Sequence, residues 1–308
     1  MIKYLIISLA FSIALFTSCN QSMSESEIES IGRTKSKRPA AFIKKLGMDP
    51  NQSAFSSSVN NMKGVVLLQA LPHIKDSFIK YQHPSWTQYG WMGTITTDDS
   101  GNVYTAPIPF VNSLDNTLAT INSIYKIDNL TGEMKLFYSL PKPDSAEGVI
   151  PFGVMGMYYD THGKKLYVAS IAGSTRDEEK GVLYVIDIEK KSIEDKLTGI
   201  DAMGVFVGGM TGEKKLYFGT CRNAEIKSVL LNKSGKIISK PELELSLDQL
   251  GPRGNDKARR IRYDNYGNLL VYAIEFDYSL AANSNRVETF YKFGYNKADK
   301  KWVLMESH

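Results

Sequence analysis

The sequence predicts an all-β fold, a β-propeller of four-stranded antiparallel blades. Four stretches share one pattern, in which a short apolar strand, a polar turn with glycine and a second strand follow one another. These stretches begin at Met92, Met155, Met203 and Arg260. The second strand is rich in β-branched and aromatic residues, and Asp, Asn and Gly suit tight turns, so each stretch has the signature of a β-hairpin.

A second hairpin follows each of the first four after a loop of variable length. The second hairpins span residues 123–138, 182–194, 228–238 and 289–304. Two hairpins in succession make a four-stranded meander, and this unit recurs at intervals of about 50 to 60 residues. A four-stranded unit repeated at that spacing is typical of a propeller blade.

The composition of the strands favours a propeller over a β-sandwich of similar strand count. A single blade cannot bury both of its faces, but blades arranged radially cover one another. Strands of such blades can be apolar on both sides, as residues 183–186 are. A sandwich also accounts less well for the recurrence of the turns at the same place in each unit.

The number of blades is five by literal count. Four blades follow Tyr89, and residues 65–72 resemble the outer strand and exit at 134–141. Residues 39–72 are therefore predicted to form a short N-terminal blade, which could share strands with the C-terminus to close the ring. A sixth blade is the open alternative if residues 40–62 contain further strands. The single propeller domain is predicted to span residues 39–308.

The first 18 residues have the organisation of a secretory signal peptide. Lys3 precedes an apolar run at 4–16, which is shorter than the roughly 20 residues of a transmembrane helix. Residues 15–19, Leu-Phe-Thr-Ser-Cys, resemble the loose lipobox of Bacteroidetes lipoproteins. This resemblance implies cleavage before Cys19, acylation of Cys19 with palmitate-like chains, and an outer-membrane lipoprotein that is periplasmic or surface-exposed. An ordinary signal peptide with a chance cysteine is the alternative.

Residues 19–38 are predicted to form a flexible tether after the lipidated Cys19. They are rich in Ser, Glu, Lys and Arg and contain little to bury. The acidic run at 24–29 resembles the signal that sends some Bacteroidetes lipoproteins to the cell surface. A solvated linker explains the same composition equally well.

Charge and cysteine content limit the function classes. The net charge of +4 comes from 37 basic and 33 acidic side chains, and no basic run is interleaved with aromatic residues. Nucleic acid is therefore not expected as a partner. The chain has two cysteines, so lipidation of Cys19 leaves Cys221 without an intrachain partner. We expect Cys221 to be a buried free thiol that packs as a small hydrophobic residue.

Propeller topology places the longer loops of this chain on one face. The links after the second strand of each blade and the links between blades share that face, and such loops commonly carry function. Aromatic rings there can contact sugars, and arginine can bind carboxylates. The predicted binding residues are His83, Trp86, Trp91, Arg176, Arg222, Arg259 and Asp277.

The blade pattern resembles the calcium-dependent propellers of the gluconolactonase and senescence-marker-protein group, and NHL-type propellers more loosely. In the first group, Pro-Asn-Gly and Asp-Gly-Met segments supply metal ligands where the chain enters a blade. Here residues 151–153 are Pro-Phe-Gly and residues 201–203 are Asp-Ala-Met. The resemblance therefore implies Asp201 as a metal ligand, with Ca²⁺ as the cofactor of a lactonase-like enzyme.

Two functions remain open at this point. The first is a binding propeller in the cell envelope, held to the membrane by its lipid and presenting the loop-rich face to a glycan, peptide or protein. The second is a metal-dependent, lactonase-like hydrolase or lyase. No Gly-x-Ser-x-Gly segment, Gly-rich phosphate loop or paired histidines at metal spacing occur in the sequence, so whether the chain is an enzyme stays open.

Overall fold

The computed structural model of the chain describes residues 23–33, 38–59, 61–74, 77–108, 115–117, 119–141, 152–279 and 287–308. Cys19, the preceding signal peptide and part of the predicted tether lie outside these ranges. Within them, no helix is long and apolar enough to cross a membrane.

The described residues form five antiparallel sheets, whose strands are hydrogen-bonded in sequence order. Blade one has three strands, β1 Ser53–Ser56, β2 Val66–Ala70 and β3 Phe78–Tyr81. Blade two contains β4 Met92–Thr97, β5 Val103–Pro107, β6 Ser123–Ile127 and β7 Met134–Ser139; blade three contains β8 Val154–Asp160, β9 Lys165–Ser170, β10 Val182–Asp187 and β11 Ser192–Thr198. Blade four contains β12 Ala202–Gly208, β13 Lys215–Thr220, β14 Glu225–Leu230 and β15 Glu242–Ser246; blade five contains β16 Lys257–Tyr263, β17 Leu269–Ile274, β18 Thr289–Asn296 and β19 Lys301–Ser307.

The first strands of blades two to five lie next to one another, because β8 contacts β4 and β12, and β12 contacts β16. They are thus the inner strands of a five-bladed β-propeller. The all-β propeller predicted from the sequence is confirmed, and so is the literal count of five. No sixth sheet occurs among the residues described above.

The repeated Met-Gly pair has a packing role at the centre of the propeller. Each of the four inner strands carries a β-bulge near its start. A Cβ atom placed on Gly156 would lie 2.1 Å from the carbonyl oxygen of Met203, and one on Gly204 would lie 2.7 Å from that of Arg259. Glycine therefore allows neighbouring inner strands to approach closely.

The antiparallel meander gives the propeller two distinct faces. We call the face with the links between strands one and two and between strands three and four the turn face. Its turns are closed by side chains, as where Asp98 accepts from the backbone N–H groups of Ser100 and Asn102. Asp264 does the same in the corresponding turn of blade five. The opposite face, which we call the loop face, carries most of the longer links, although the β14–β15 link of the turn face, residues 231–241, is also long.

Blade one differs from the sequence prediction in three ways. Its sheet extends to Tyr81 rather than ending at residue 72, and β2 is its middle strand rather than an outer strand. The C-terminal strand β19 pairs with β18 in blade five, so the described sheet of blade one receives no strand from the C-terminus. Trp86, on the 3-10 helix Pro84–Thr87, packs with β2 and blade two in one hydrophobic cluster.

Residues 23–33 fold against the propeller, although the sequence assigned them to a flexible tether. They form helix α1, Glu25–Ser30, whose start is closed by a reciprocal capping box between Ser24 and Glu27. Ile31 is only 1% exposed and joins a hydrophobic cluster of blades three and four. A single buried isoleucine is not visible in the polar composition that suggested a tether. A second short helix, α2 Ala41–Lys45, packs Phe42 against Trp86.

Candidate functional site

Asp201 lies at the mouth of the central channel on the loop face. It directly precedes the inner strand β12, and its carbonyl oxygen accepts a hydrogen bond of 2.7 Å from the backbone N–H of Cys221. Trp91 and Gly153 occupy the same place in blades two and three, since their carbonyls accept from Ile108 and Ile171. The propeller thus repeats one backbone contact around the channel mouth.

The carboxylate of Asp201 is fully buried and receives four partners from three blades. Oδ1 accepts from the hydroxyl of Ser174 at 2.5 Å and from the N–H of Gly181 at 2.9 Å. Oδ2 accepts from the hydroxyl of Tyr278 and pairs with Nη2 of Arg222 at 3.0 Å. Because two carboxylate oxygens offer about four lone-pair positions, the acceptor capacity of Asp201 is filled.

Arg222 connects the same loops through its guanidinium group. It donates to the carbonyl oxygens of Thr175 at 2.9 Å and Arg176 at 2.8 Å, and its Nε lies 3.6 Å from a carboxylate oxygen of Glu179. The guanidinium carbon lies 4.9 Å from the centre of the Tyr278 ring. Stacking on an aromatic face and forked hydrogen bonding are the interactions for which arginine is suited.

An apolar cluster from blades three, four and five packs next to this network. We call it the channel plug; its members are Phe152, Ile171, Met203, Cys221, Ile274, Phe276 and Tyr278. Cys221 is 1% exposed and, among the described residues, is a free cysteine, which confirms the prediction of a buried residue. Burial raises the pKa of the Cys221 thiol, and burial together with the bond to Asp201 raises the pKa of Tyr278. Both groups are therefore neutral near pH 7.

Exposed charged side chains surround the network on the loop face. Arg176 and Asp277 are 70% and 61% exposed, and their side chains lie 3.7 Å apart. Arg259 occupies the bulge of β16 and is 45% exposed, with the nearest carboxylate, that of Glu288, 3.9 Å away. Both side chains are more exposed than that of Arg222, which is 23% exposed.

The structure brings some of the predicted site residues together and separates others. Arg176, Arg222, Asp277 and Asp201 belong to one connected network, while Arg259 lies on the inner strand β16 of blade five. Trp91 is half-buried in blade two, where its indole N–H donates to Asp115 at 3.3 Å.

His83 and Trp86 lie away from this network. The imidazole of His83 lies 2.8 Å from the Ser85 hydroxyl. Trp86 has no exposed surface and donates its indole N–H to the carbonyl of Gly132 at 2.7 Å. We therefore correct the prediction that Trp86 binds a ligand. Its fully buried ring stabilises the contact between blades one and two and offers no surface to a ligand.

Three residues of the network were missed by sequence reasoning. Ser174, Glu179 and Gly181 all come from the link between β9 and β10, and Glu179 accepts from the backbone N–H of Asp201 at 2.8 Å. A Cβ atom on Gly181 would lie 2.5 Å from the Asp201 carboxylate, so glycine is needed at that place. Their only signal in the sequence is their position in a long loop after a second strand.

The residues at the channel mouth do not fit the calcium site implied by the lactonase resemblance. Asp201 has no free acceptor position for a cation. Within the described ranges, no group of three or more His, Cys, Asp or Glu side chains is arranged to hold a metal ion. We therefore derive no chemistry through a metal, and the role of Asp201 as a ligand stays a prediction.

No protein-family model and no curated protein matches this chain. Solved structures similar to it include a calcium-binding protein, regucalcin, from Agrobacterium tumefaciens, with 13% identity, 75% of this chain and 74% of that chain covered and a TM-score of 0.42. An exo-β-1,3-galactanase from Phanerochaete chrysosporium shares 8% identity over 82% of this chain and 60% of that chain, with a TM-score of 0.47. A chain of a nidogen/laminin complex shares 12% identity over 79% of this chain and 89% of that chain, with a TM-score of 0.43. The fold assignment rests on the sheets of this chain itself.

Proposed function

We propose that this protein is a binding propeller of the bacterial cell envelope, which recognises a ligand through its loop face. The observation that carries this proposal is the Asp201 network, which connects the loops of three blades around one saturated carboxylate. A site fixed in this way loses little conformational freedom when a ligand binds. Its buried hydroxyl and thiol are neutral, which suits a structural role better than nucleophilic chemistry.

The ligand chemistry follows from the exposed arginines. The side chains of Arg176 and Arg259 are 70% and 45% exposed, and the nearest carboxylates lie 3.7 Å and 3.9 Å away. Guanidinium groups bind carboxylates with paired, charge-assisted hydrogen bonds. We infer that the ligand is a glycan, peptide or protein that presents carboxylates to the loop face.

Calorimetric titration with acidic oligosaccharides, neutral oligosaccharides and acidic peptides tests this proposal. We expect binding of an acidic compound, and Arg259→Ala should weaken it by about tenfold or more, as loss of a hydrogen bond to a charged group does. Arg262→Ala is the matched control, because the guanidinium of Arg262 contacts Tyr272 within its own blade. Equal losses in the two variants, or no binding by any acidic compound, would contradict the proposal.

The anchoring of the protein is a separate proposal. The lipobox-like residues 15–19 support acylation at Cys19, with the mature protein on the outer membrane as a periplasmic or surface-exposed lipoprotein. Cys19→Ser should move the protein from the membrane fraction to the soluble fraction, and mass spectrometry of wild type should find acyl chains on Cys19. The anchor would be excluded if Cys19→Ser remained in the membrane fraction and wild type carried no acyl chain on Cys19.

The alternative function, a calcium-dependent lactonase-like hydrolase or lyase, has no specific geometric support at Asp201. It is tested by thermal unfolding with and without Ca²⁺ and by lactone hydrolysis assays. A large stabilisation by Ca²⁺ that Asp201→Asn abolishes would favour the enzyme over the binding protein.

A further inference from the structure

We propose that the turn face of the propeller lies against an anionic phospholipid surface, so that the loop face points away from the membrane. This inference rests in part on the anchor at Cys19 proposed above. Two independent observations support it, the place where the N-terminal segment meets the propeller and the charge of the turns around it.

The N-terminal segment binds to the turn face. The N–H of Gly209, just after β12, donates to the carbonyl of Ile31 at 3.2 Å. Glu29 pairs at 2.7 Å with Lys297 of the β18–β19 turn, and Arg33 donates at 3.4 Å to the carbonyl of Asn265 in the β16–β17 turn. These three turns belong to the same face, and together they fix where the chain enters the domain.

The length of chain before this contact limits the distance to the membrane. Met23 follows Cys19 by four residues. Four residues span at most about 14 Å even when fully extended. A lipid on Cys19 would therefore hold the turn face, rather than the loop face, next to the bilayer.

The turns of this face carry an excess of exposed lysines. In the links between strands one and two and between strands three and four of blades two to five, eight lysines are exposed against three acids, and helix α1 adds the exposed Glu25 and Glu27 to this face. The lysines are Lys164, Lys190, Lys191, Lys233, Lys236, Lys240, Lys297 and Lys300, and the acids are Glu189, Glu213 and Asp299. All eight lysines belong to blades three, four and five, on which the N-terminal segment lies. Lys190 pairs with Glu194 and Lys297 with Glu29, so within the described residues six of the eight are without an ion pair.

Three of these lysines occupy strained turn positions. Lys164, Lys191 and Lys300 each have a φ of 51°, in the left-handed region where glycine is favoured. Equivalent turns use glycine, as at Gly101 and Gly267. A non-glycine residue in this conformation costs about 1 kcal/mol or more, so the backbone conformation of these three turns does not itself favour lysine.

On the loop face, by contrast, several charged side chains are paired, although Arg259 has its nearest carboxylate 3.9 Å away. Arg176 pairs with Asp277, Lys180 with Glu178, and Arg253 with the buried Asp256. Unpaired lysines close to an anionic bilayer are attracted to its phosphate groups, whereas neutral pairs are not. The turn face is thus the face that complements phospholipid headgroups.

Amine labelling of the reconstituted protein tests the orientation directly. Wild-type protein is inserted into phosphatidylcholine vesicles with and without phosphatidylglycerol, treated with an amine-reactive reagent and analysed by peptide mass spectrometry. We expect Lys191, Lys236 and Lys300 to be protected in the anionic vesicles, while Lys180 on the loop face, 53% exposed, stays fully labelled. Protection of Lys180 instead, or equal labelling of all four, would overturn the proposal.

A charge variant separates this face from the lipid anchor. The combined Lys191→Gln, Lys236→Gln and Lys300→Gln protein is compared with wild type for sedimentation with anionic vesicles relative to neutral ones. Because the variant and wild type share residues 1–18 and any acyl chains, the change in this ratio reports the three lysines. At about fivefold per lysine, the ratio should fall about a hundredfold in the triple variant. The ratio should fall more in the single variant Lys236→Gln than in the loop-face control Lys180→Gln.

The outcomes distinguish the two proposals. An unacylated Cys19 with a large loss in the triple variant would remove the anchor and keep the lysine face. An acylated Cys19 with an unchanged ratio in the triple variant would keep the anchor and overturn the lysine face. Unchanged unfolding free energies of the lysine variants, as expected for exposed positions, show that a loss of binding is not a loss of folding.

Discussion

The hydroxyl of Tyr278 donates a hydrogen bond to the carboxylate of Asp201, 77 residues earlier in the chain. The bond joins the loop after β17 in blade five to the start of the inner strand of blade four. Tyr278 has a φ of 61°, a conformation that is unfavourable for an aromatic residue and must be held by its surroundings. Its ring in turn supports the guanidinium of Arg222.

Tyr278→Phe tests the contribution of this hydrogen bond. The substitution retains the ring in the channel plug and removes only the hydroxyl donor. Because the acceptor is a charged group in a buried site, we expect the free energy of unfolding in urea to fall by about 2 kcal/mol. Tyr266→Phe is the control, since Tyr266 is 82% exposed. If both variants were equally stable, the bond would not contribute to stability.

Asp201→Asn tests the network as a whole. The amide has nearly the shape of the carboxylate but leaves the Arg222 charge without its buried partner. Loss of one member of a buried ion pair costs about 3 to 5 kcal/mol, which equilibrium unfolding in denaturant measures. Asp177→Asn in the exposed loop of blade three should change the stability by less than about 0.5 kcal/mol. A loss below about 1 kcal/mol for Asp201→Asn would contradict the network.

An ion cluster on blade three predicts an acid-sensitive component of stability. Nζ of Lys165 lies 2.7 Å from Asp187 and 2.9 Å from Glu194, and Lys165 and both carboxylates are largely buried. The hydrogen bond from Lys165, followed by backbone N–H donors, holds the pKa of Asp187 well below its ordinary value. Burial lowers the pKa of Lys165, but its bonds to the two carboxylates outweigh this effect and raise it.

The sign of the pH dependence follows from the lowered pKa of Asp187. The folded state binds the proton more weakly than the unfolded state, so the stabilisation is present above about pH 4 and is lost as the pH falls. Between about pH 6 and about pH 3 we expect Asp187 to account for about 1 kcal/mol of lost stability, measured by urea unfolding at each pH. Over this pH range the stability of Asp187→Asn should fall by about 1 kcal/mol less than that of wild type. Parallel pH profiles of stability for the two proteins would exclude the contribution.

Ile31→Ala tests whether the N-terminal segment is part of the folded domain. Ile31 is 1% exposed, and removal of a buried isoleucine side chain costs about 2 to 4 kcal/mol. The control is Ile238→Ala, because Ile238 is 61% exposed. Urea unfolding that gave the same stability for both variants would mean that residues 23–33 behave as a flexible tether after all.

The strands and their grouping into blades could be predicted from the sequence because their determinants are local. Each hairpin of blades two to five is specified by a short apolar run, a turn with Asp, Asn or Gly, and a second run. The same meander fixes which links share a face, so the grouping of Arg176, Arg222 and Asp277 in one region followed from topology. The extent and strand order of blade one were predicted incorrectly, because its strands lack the repeated turn pattern.

The tertiary structure alone decided how individual side chains are used. Whether Trp86 faces a ligand or a neighbouring blade depends on contacts with residues far along the chain, such as Phe42 and Gly132. The saturation of Asp201 likewise depends on donors from Ser174, Gly181, Arg222 and Tyr278, which converge only when three blades are assembled. The sequence pattern shows which residues are apolar and where the chain turns. Burial and hydrogen-bond partners depend on which distant segments come together, and the pattern holds no information about that.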